Sequence, residues 1–298
     1  MLWLLLFLAV IVGLALLVHV VVLEPQDLRV TELTVPVEGL GADLEGYTIA
    51  VLSDLHHSPG SRRGPIGRAV LVAAEAQPHL VALLGDFAVS WRRMPHASHR
   101  WYRAGMEALG PLLRPLAAAP DGVVAVLGNH DYYGRDPDEV RAWLRALGAR
   151  VLENDAVIVR RGGSALAVAG VPDPTEDAVD ERAGCGAVPD HVPRVVLAHH
   201  PDSVAHFAAD QRVDLVLSGH THGGQITFPL VGAPVRHARV CGWRTASGWV
   251  PNRRARLYVT RGVGTIVPGR LLAPPEVLIV RLTGHPGRAR QESRRSPR

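Results

Sequence analysis

Five times along this chain a short apolar run ends in a small polar cluster, and that repeated grammar restricts the fold more than any other feature. Ile49 to Ser53 leads into Asp54-Leu55-His56, and Leu80 to Leu84 leads into Gly85-Asp86. Val123 to Leu127 leads into Gly128-Asn129-His130-Asp131, Val195 to Ala198 into His199-His200-Pro201-Asp202, and Val213 to Leu217 into Ser218-Gly219-His220-Thr221-His222. Runs of about five β-branched and leucine residues read as strands buried on both faces. Ligands in such sheets collect just beyond the carboxyl ends of the strands, so five loops can share one rim.

The side chains gathered there are aspartate, histidine and asparagine, an oxygen and nitrogen set that suits divalent or trivalent Mn, Fe or Zn. Only two cysteines occur, and neither lies in a C-x-x-C pair, which excludes a cysteine-based zinc site. A dinuclear centre needs one ligand shared by both ions, and Asp86, alone at the tip of its loop, is the best placed carboxylate. Asp54 and His56, two residues apart, fall on one side of an extended strand end and can hold one ion together. His220 and His222 can serve one ion each if the loop turns between them, with Asn129 and His199 completing the second. His130 is then left as a general acid for the leaving oxygen, with Asp131 to orient it. Gly85, Gly128 and Gly219 are read as allowing turns closed to residues with a Cβ.

With 47% apolar residues in 298, the chain can bury one large α/β core. Its 32 basic residues are all arginine and the net charge is only +4. A nucleic-acid surface requires clustering, and the one dense cluster, Arg288 to Arg298, reads as part of a disordered tail over 283–298. No nucleic-acid partner is indicated. Residues 1–23 carry no charged side chain and are long enough to cross a bilayer core. Neither a basic leading region nor a small-residue cleavage site accompanies them, so the expectation is an uncleaved, single-pass anchor. Cys185 and Cys241 allow either a disulfide or two buried thiols.

Residues 24–46 read as a linker with an edge strand in Leu28 to Val35, and residues 47–282 as the principal domain. Helices are expected over Gly67 to Ala76, Pro137 to Leu147 behind an Asp136 cap, and Ser203 to Ala209. Gly105 to Ala118 reads as a helix broken into turns at Pro111 and Pro115. Ala156 to Arg160 and Ala165 to Ala169 form a hairpin, and Gln225 to Phe228, Ala255 to Thr260 and Val277 to Leu282 form further strands. The aromatic and arginine-rich stretch Trp91 to Arg103, directly after Asp86, reads as a solvated helix and loop, as a lip over the site that grips an anionic substrate, or as a membrane-surface contact.

Asp54-x-His56, Gly85-Asp86, Gly128-Asn129-His130-Asp131, His199 and Gly219-His220-x-His222 together resemble the calcineurin-like metallophosphoesterase family, over about residues 47 to 282. The resemblance implies a four-layer αββα sandwich of two mixed β-sheets, and hydrolysis of phosphate esters by a metal-bridging hydroxide. It implies that Asp54, His56, Asp86 and His222 hold one ion. Asp86, Asn129, His199 and His220 would hold the other, and His130 is the acid. His222-Gly223-Gly224-Gln225-Ile226 and Leu257 to Gly264 are similar to a bacterial branch of membrane-anchored or exported phosphodiesterases, which places the domain outside the cytoplasm. The sequence departs from the pattern at Val89, where relatives carry a tyrosine or an aspartate. Arg261 and Arg270 are candidates for gripping a phosphoryl oxygen. The competing expectation is a metal-binding scaffold of the same fold without turnover. A narrower one is an esterase acting on lipid-linked phosphates.

Overall fold

The structure is a computed structural model; it describes the chain except for residues 60–63, 91–94, 135, 183, 187, 236, 266, 285–289 and 297–298. In chain order its elements are α1 (Leu2–Val18), β1 (Arg29–Pro36), β2 (Thr48–Leu52), α2 (Pro65–Glu75), β3 (Leu80–Leu83), α3 (Pro95–Leu113), β4 (Val123–Ala125), α4 (Asn129–Gly134), α5 (Pro137–Ala146) and β5 (Ala149–Val151). There follow β6 (Asp155–Arg161), β7 (Ser164–Val171), β8 (Arg194–Ala198), β9 (Leu215–Ser218), β10 (Gly248–Val250), β11 (Leu257–Val259), β12 (Glu276–Thr283) and β13 (Arg290–Arg295).

Among the described residues the strands form two mixed sheets, ordered β13-β1-β12-β2-β3-β4-β5 and β10-β11-β9-β8-β7-β6. The period of two explains how they stack. In β2 and β3, Ile49, Val51, Leu80 and Ala82 face the second sheet, where Val168, Val195, Leu215 and Leu217 meet them. Ala50, Leu52, Val81 and Leu83 face the other way and pack on Ala69, Val70 and Ala73 of α2 and Tyr102, Met106 and Leu109 of α3. Each leucine or valine so buried contributes about 1.5–3 kcal/mol, which is why runs apolar on both faces were needed. The outer face of the second sheet meets Val204, Phe207, Cys185 and Cys241. Both thiols are free and buried there.

β2, β3 and β4 run parallel to one another, as do β7, β8, β9 and β11. Their carboxyl ends meet at one rim. Asp136 caps α5 by accepting from Asp138 N (2.9 Å), as expected from its position before Pro137. Several expectations change. Residues 203–209 give only a 3-10 turn, Pro201–Ala205, because the chain stays pinned by the His200 side chain, which accepts from Asp202 N. Gln225 to Phe228 makes only isolated bridges, to Leu271 and Gly232. Helix α3 runs through Pro111 and breaks into a 3-10 turn only at Arg114–Ala118.

The tail is not wholly without structure: Arg290–Arg295 pairs antiparallel with β1, so β13 takes the edge position expected of β1. An unfilled sheet edge accepts any extended segment with free backbone groups, and Arg294 and Arg295 add ion pairs to Glu32 and Asp27 (both 3.3 Å). The N-terminal helix is long and apolar enough to cross a membrane, and none of its residues from Leu2 to Val18 is buried. Of the stretch Trp91 to Arg103, residues 91–94 lie outside the described residues and the remainder opens α3.

Candidate metal centre

The ends of β2, β3 and β9 deliver their ligands through sharp turns rather than extended ones. Asp54, His56, Asp86, His220 and His222 all have positive φ, between 40° and 67°. The expectation that Asp54 and His56 share one side of an extended strand therefore fails. They converge because the backbone folds left-handed at both, held by Asp54 N to Gly85 O (3.1 Å) and His56 N to Asp86 O (2.9 Å). Gly85, at φ +84°, makes the turn before Asp86, whereas Gly128 and Gly219 are needed for close approach. A Cβ on Gly219 would lie 2.0 Å from Ser53 Oγ and 2.4 Å from Asp54 Oδ2.

The result is two groups of donors meeting at one carboxylate. His56 Nε2 lies 3.2 Å from His222 Nε2, and His222 Nε2 lies 3.5 Å from Asp54 Oδ1. Opposite them, His220 Nδ1 lies 2.9 Å from Asn129 Oδ1 and 3.3 Å from His199 Nε2. Asp86 Oδ2 stands between the groups, 3.4 Å from His56 Nε2 and 3.3 Å from His199 Nε2. Ligands about 2.1 Å from a common metal are separated by roughly 3.0–3.4 Å at right-angled or tetrahedral geometry, so these spacings fit two ions sharing Asp86. Two of the remaining ring nitrogens point to backbone, His199 Nδ1 to Leu84 O (2.6 Å) and His222 Nδ1 to Gly264 O (3.2 Å), whereas His56 Nδ1 is buried without a partner. Such contacts set the tautomer that leaves the inner nitrogen unprotonated.

Burial holds His56, His220 and His222 well below the usual imidazole pKa, in the neutral form that ligates. Burial also opposes charge on His199, yet the Asp86 carboxylate outweighs it and raises that pKa.

All seven ligands expected from sequence are thus brought together. Asp131 is not placed as expected. Its carboxylate accepts from Asp86 N (2.8 Å), Phe87 N (2.9 Å), Gly128 N (2.7 Å) and Tyr102 OH (2.5 Å), and it does not touch His130. It clamps two ligand loops to each other. The residue that orients His130 is Ser90, whose carbonyl and hydroxyl oxygens both lie 3.1 Å from Nδ1. His130 N also donates to Asp86 Oδ1 (2.9 Å), tying the acid candidate to the shared carboxylate.

The two arginines are taken up by protein acceptors. Arg270 is fully buried and donates to the carbonyls of Ala273 (2.8 Å), Arg261 (3.0 Å) and Gly264 (2.7 Å). Arg261 is spent on Glu276 (3.1 Å) and the Pro274 carbonyl (2.8 Å). Both brace the loops behind the ligands.

Two residues escaped sequence reasoning. Asp173 is fully buried, has Oδ2 without a partner, and offers a carboxylate oxygen within 4.8 Å of donors on His199 and His220. It follows the apolar strand β7 in Val171-Pro172-Asp173, the same grammar a sixth time, hidden because that strand reads first as half of a hairpin. Exposed His237 stands edge-on to His220, with centroids 6.2 Å apart, and no local pattern marked it.

Comparison with known proteins agrees with this geometry. Residues 47–224 match the model of the calcineurin-like phosphoesterase family. The uncharacterized metallophosphoesterase YkuE of Bacillus subtilis is 30% identical over 262 residues, covering 87% of each chain. Phosphodiesterase YaeI of Escherichia coli is 32% identical over 242 residues, 79% of this chain and 82% of its own. A Danio rerio transmembrane protein with a metallophosphoesterase domain is 32% identical over 285 residues, 91% of this chain and 61% of its own. With two donor groups meeting at Asp86 and a family match over most of its length, this chain belongs to the calcineurin-like phosphoesterases and is a metal-dependent phosphoric ester hydrolase.

Proposed function

We propose that this protein is a membrane-anchored phosphodiesterase with a dinuclear centre at Asp54, His56, Asp86, Asn129, His199, His220 and His222. The single observation that carries the reading is the position of Asp86 Oδ2, within 3.4 Å of a histidine of each donor group. When bound, two metal ions in such a site activate water and offset charge on the phosphoryl oxygens. The chain's own part is positional. Asp86 and Asp54 set the spacing of the two groups, and the Ser90 carbonyl engages His130 Nδ1, leaving Nε2 to deliver a proton to the departing oxygen. Identity to a relative named as a phosphodiesterase favours diesters over monoesters.

The anchor is supported by how the helix ends. Val20 O accepts from Arg270 N (2.9 Å), and buried Glu24 accepts from Ala273 N (2.7 Å), so the segment following α1 is stitched to the loops behind the ligands. A leader removed before Glu24 would take part of that seam with it.

The test is metal content and turnover together, on the full chain in detergent. About two ions per chain are expected, with hydrolysis of bis-p-nitrophenyl phosphate in Mn, Zn or Fe that Asp86→Ala abolishes. Metal without turnover on any diester or monoester would instead establish the scaffold reading.

A further inference from the structure

After His222 the chain folds into a lobe whose outer surface is apolar. Phe228 and Gly232 exchange backbone hydrogen bonds (3.0 and 2.9 Å), Ala233 N donates to Trp243 O (2.7 Å), and Thr227 N donates to Leu271 O (2.8 Å). The Gln225 amide donates to Val267 O (2.8 Å) and Gly269 O (2.9 Å), so three stretches distant in sequence form one unit. Leu230, 87% exposed, stands at its tip with Phe228, Val231, Trp243, Val267 and Leu272 also exposed. An apolar patch of this kind on a folded domain marks a surface that is covered in use.

The lobe itself indicates what covers it. Its Arg270 N donates to Val20 O, and a Cβ at Gly269 would come 3.1 Å from Val20 Cγ1, so it is fastened to the end of the apolar N-terminal helix. At its other side His237 stands against the ligand His220, and Arg270 donates to Gly264 O, the carbonyl that His222 Nδ1 approaches. One hydrogen-bonded unit therefore joins the helix to the metal centre.

We propose that this lobe rests on the lipid surface entered by the N-terminal helix, with Leu230 and Leu272 below the headgroups, so that the metal centre opens to phosphate esters carried at headgroup depth. The inference rests on the anchor reading above. Exposed Arg244, whose Nε donates to Leu230 O (3.0 Å), puts a cation beside the tip and suits anionic headgroups. Apolar side chains of an interfacial segment enter the headgroup and acyl boundary while the backbone stays outside it.

The experiment uses the full chain in phosphatidylglycerol and phosphatidylcholine vesicles, with an environment-sensitive fluorophore on Leu230→Cys, Leu272→Cys, Leu16→Cys or Gly163→Cys. Native Cys185 and Cys241 are buried, which pushes their thiols up to about 11 and about 12, so they stay unlabelled. Gly163 is exposed at the start of β7, the end remote from the ligands, where a Cβ meets nothing within 4 Å. In vesicles with brominated acyl chains the probes at 230 and 272 should lose about half their emission, as at 16, while that at 163 is unchanged. Quenching at 16 with 230 and 272 behaving like 163 would overturn the lobe and leave the anchor standing. No quenching at 16 would remove the anchor and the lobe together. A blue shift at 230 and 272 without quenching would mean that protein, such as a second copy of the chain, covers the patch, and would also overturn the proposal.

Discussion

Asp131→Asn should unfasten the metal centre without touching a ligand. The native carboxylate receives four donors, with Asp86 N and Gly128 N on Oδ2, and Phe87 N and Tyr102 OH on Oδ1. An asparagine keeps one acceptor oxygen. Its best placement leaves that oxygen on Asp86 N and Gly128 N and turns the amide toward Tyr102, whose hydroxyl can rotate to accept, while Phe87 N–H is orphaned. An orphaned buried donor costs about 1–3 kcal/mol, and loss of charge assistance on the three surviving bonds costs about 1 kcal/mol each. The sum is about 4–6 kcal/mol. At 2–4 °C per kcal/mol for a domain of this size, that is a fall in Tm of roughly 8–24 °C. The assay is thermal unfolding of metal-loaded protein, with metal content determined on the same sample. Tyr102→Phe, which removes one bond, should fall between wild type and Asp131→Asn. Unfolding within about 1 kcal/mol of wild type with full metal content would refute the clamp. If only turnover then fell, the sequence-based expectation that Asp131 serves His130 would be restored.

Other consequences follow from the same geometry. His130→Ala should keep its metal and lose about 10²-fold in turnover of alkyl diesters but much less with p-nitrophenolate; an equal loss on both would count against the acid role. Gly219→Ala drives a Cβ into Ser53 and Asp54, so inductively coupled plasma mass spectrometry should find fewer ions per chain than in wild type, whereas Gly163→Ala should change nothing. Because burial lowers the pKa of His56, His220 and His222 below 6.5, the unfolded chain binds protons there that the folded one refuses. Their contribution is complete above that value and lost as pH falls below it, while His199, with its raised pKa, is one group acting in the opposite sense. Metal-stripped protein should therefore melt at lower temperature at about pH 5.5 than at about pH 7.5, and a flat profile would contradict the neutral assignment.

Much of this protein is legible without coordinates because its strongest constraints are local. A strand buried on both faces must be apolar throughout, and the polar residue that ends it must leave the sheet, so Asp54, Asp86, Asn129, His199 and His220 announce themselves one by one. The helical Pro137 start behind Asp136 is equally local. What stayed hidden depends on residues far apart in the chain or on a backbone turn no composition reveals. Asp131 follows His130 directly, yet α4 begins at Asn129, and neighbours on a helix point about 100° apart, so one faces the ligands and the other the Asp86 loop. Arg270 looks like an anion grip until three carbonyls converge on it. The polar segment Arg290–Arg295 has no reason to be a strand except the open edge of β1. Residue chemistry and spacing thus determined which groups could bind metal. Only the packing of two sheets decided which of them meet, because the position of a side chain in space depends on long-range contacts that its own neighbours in sequence do not encode.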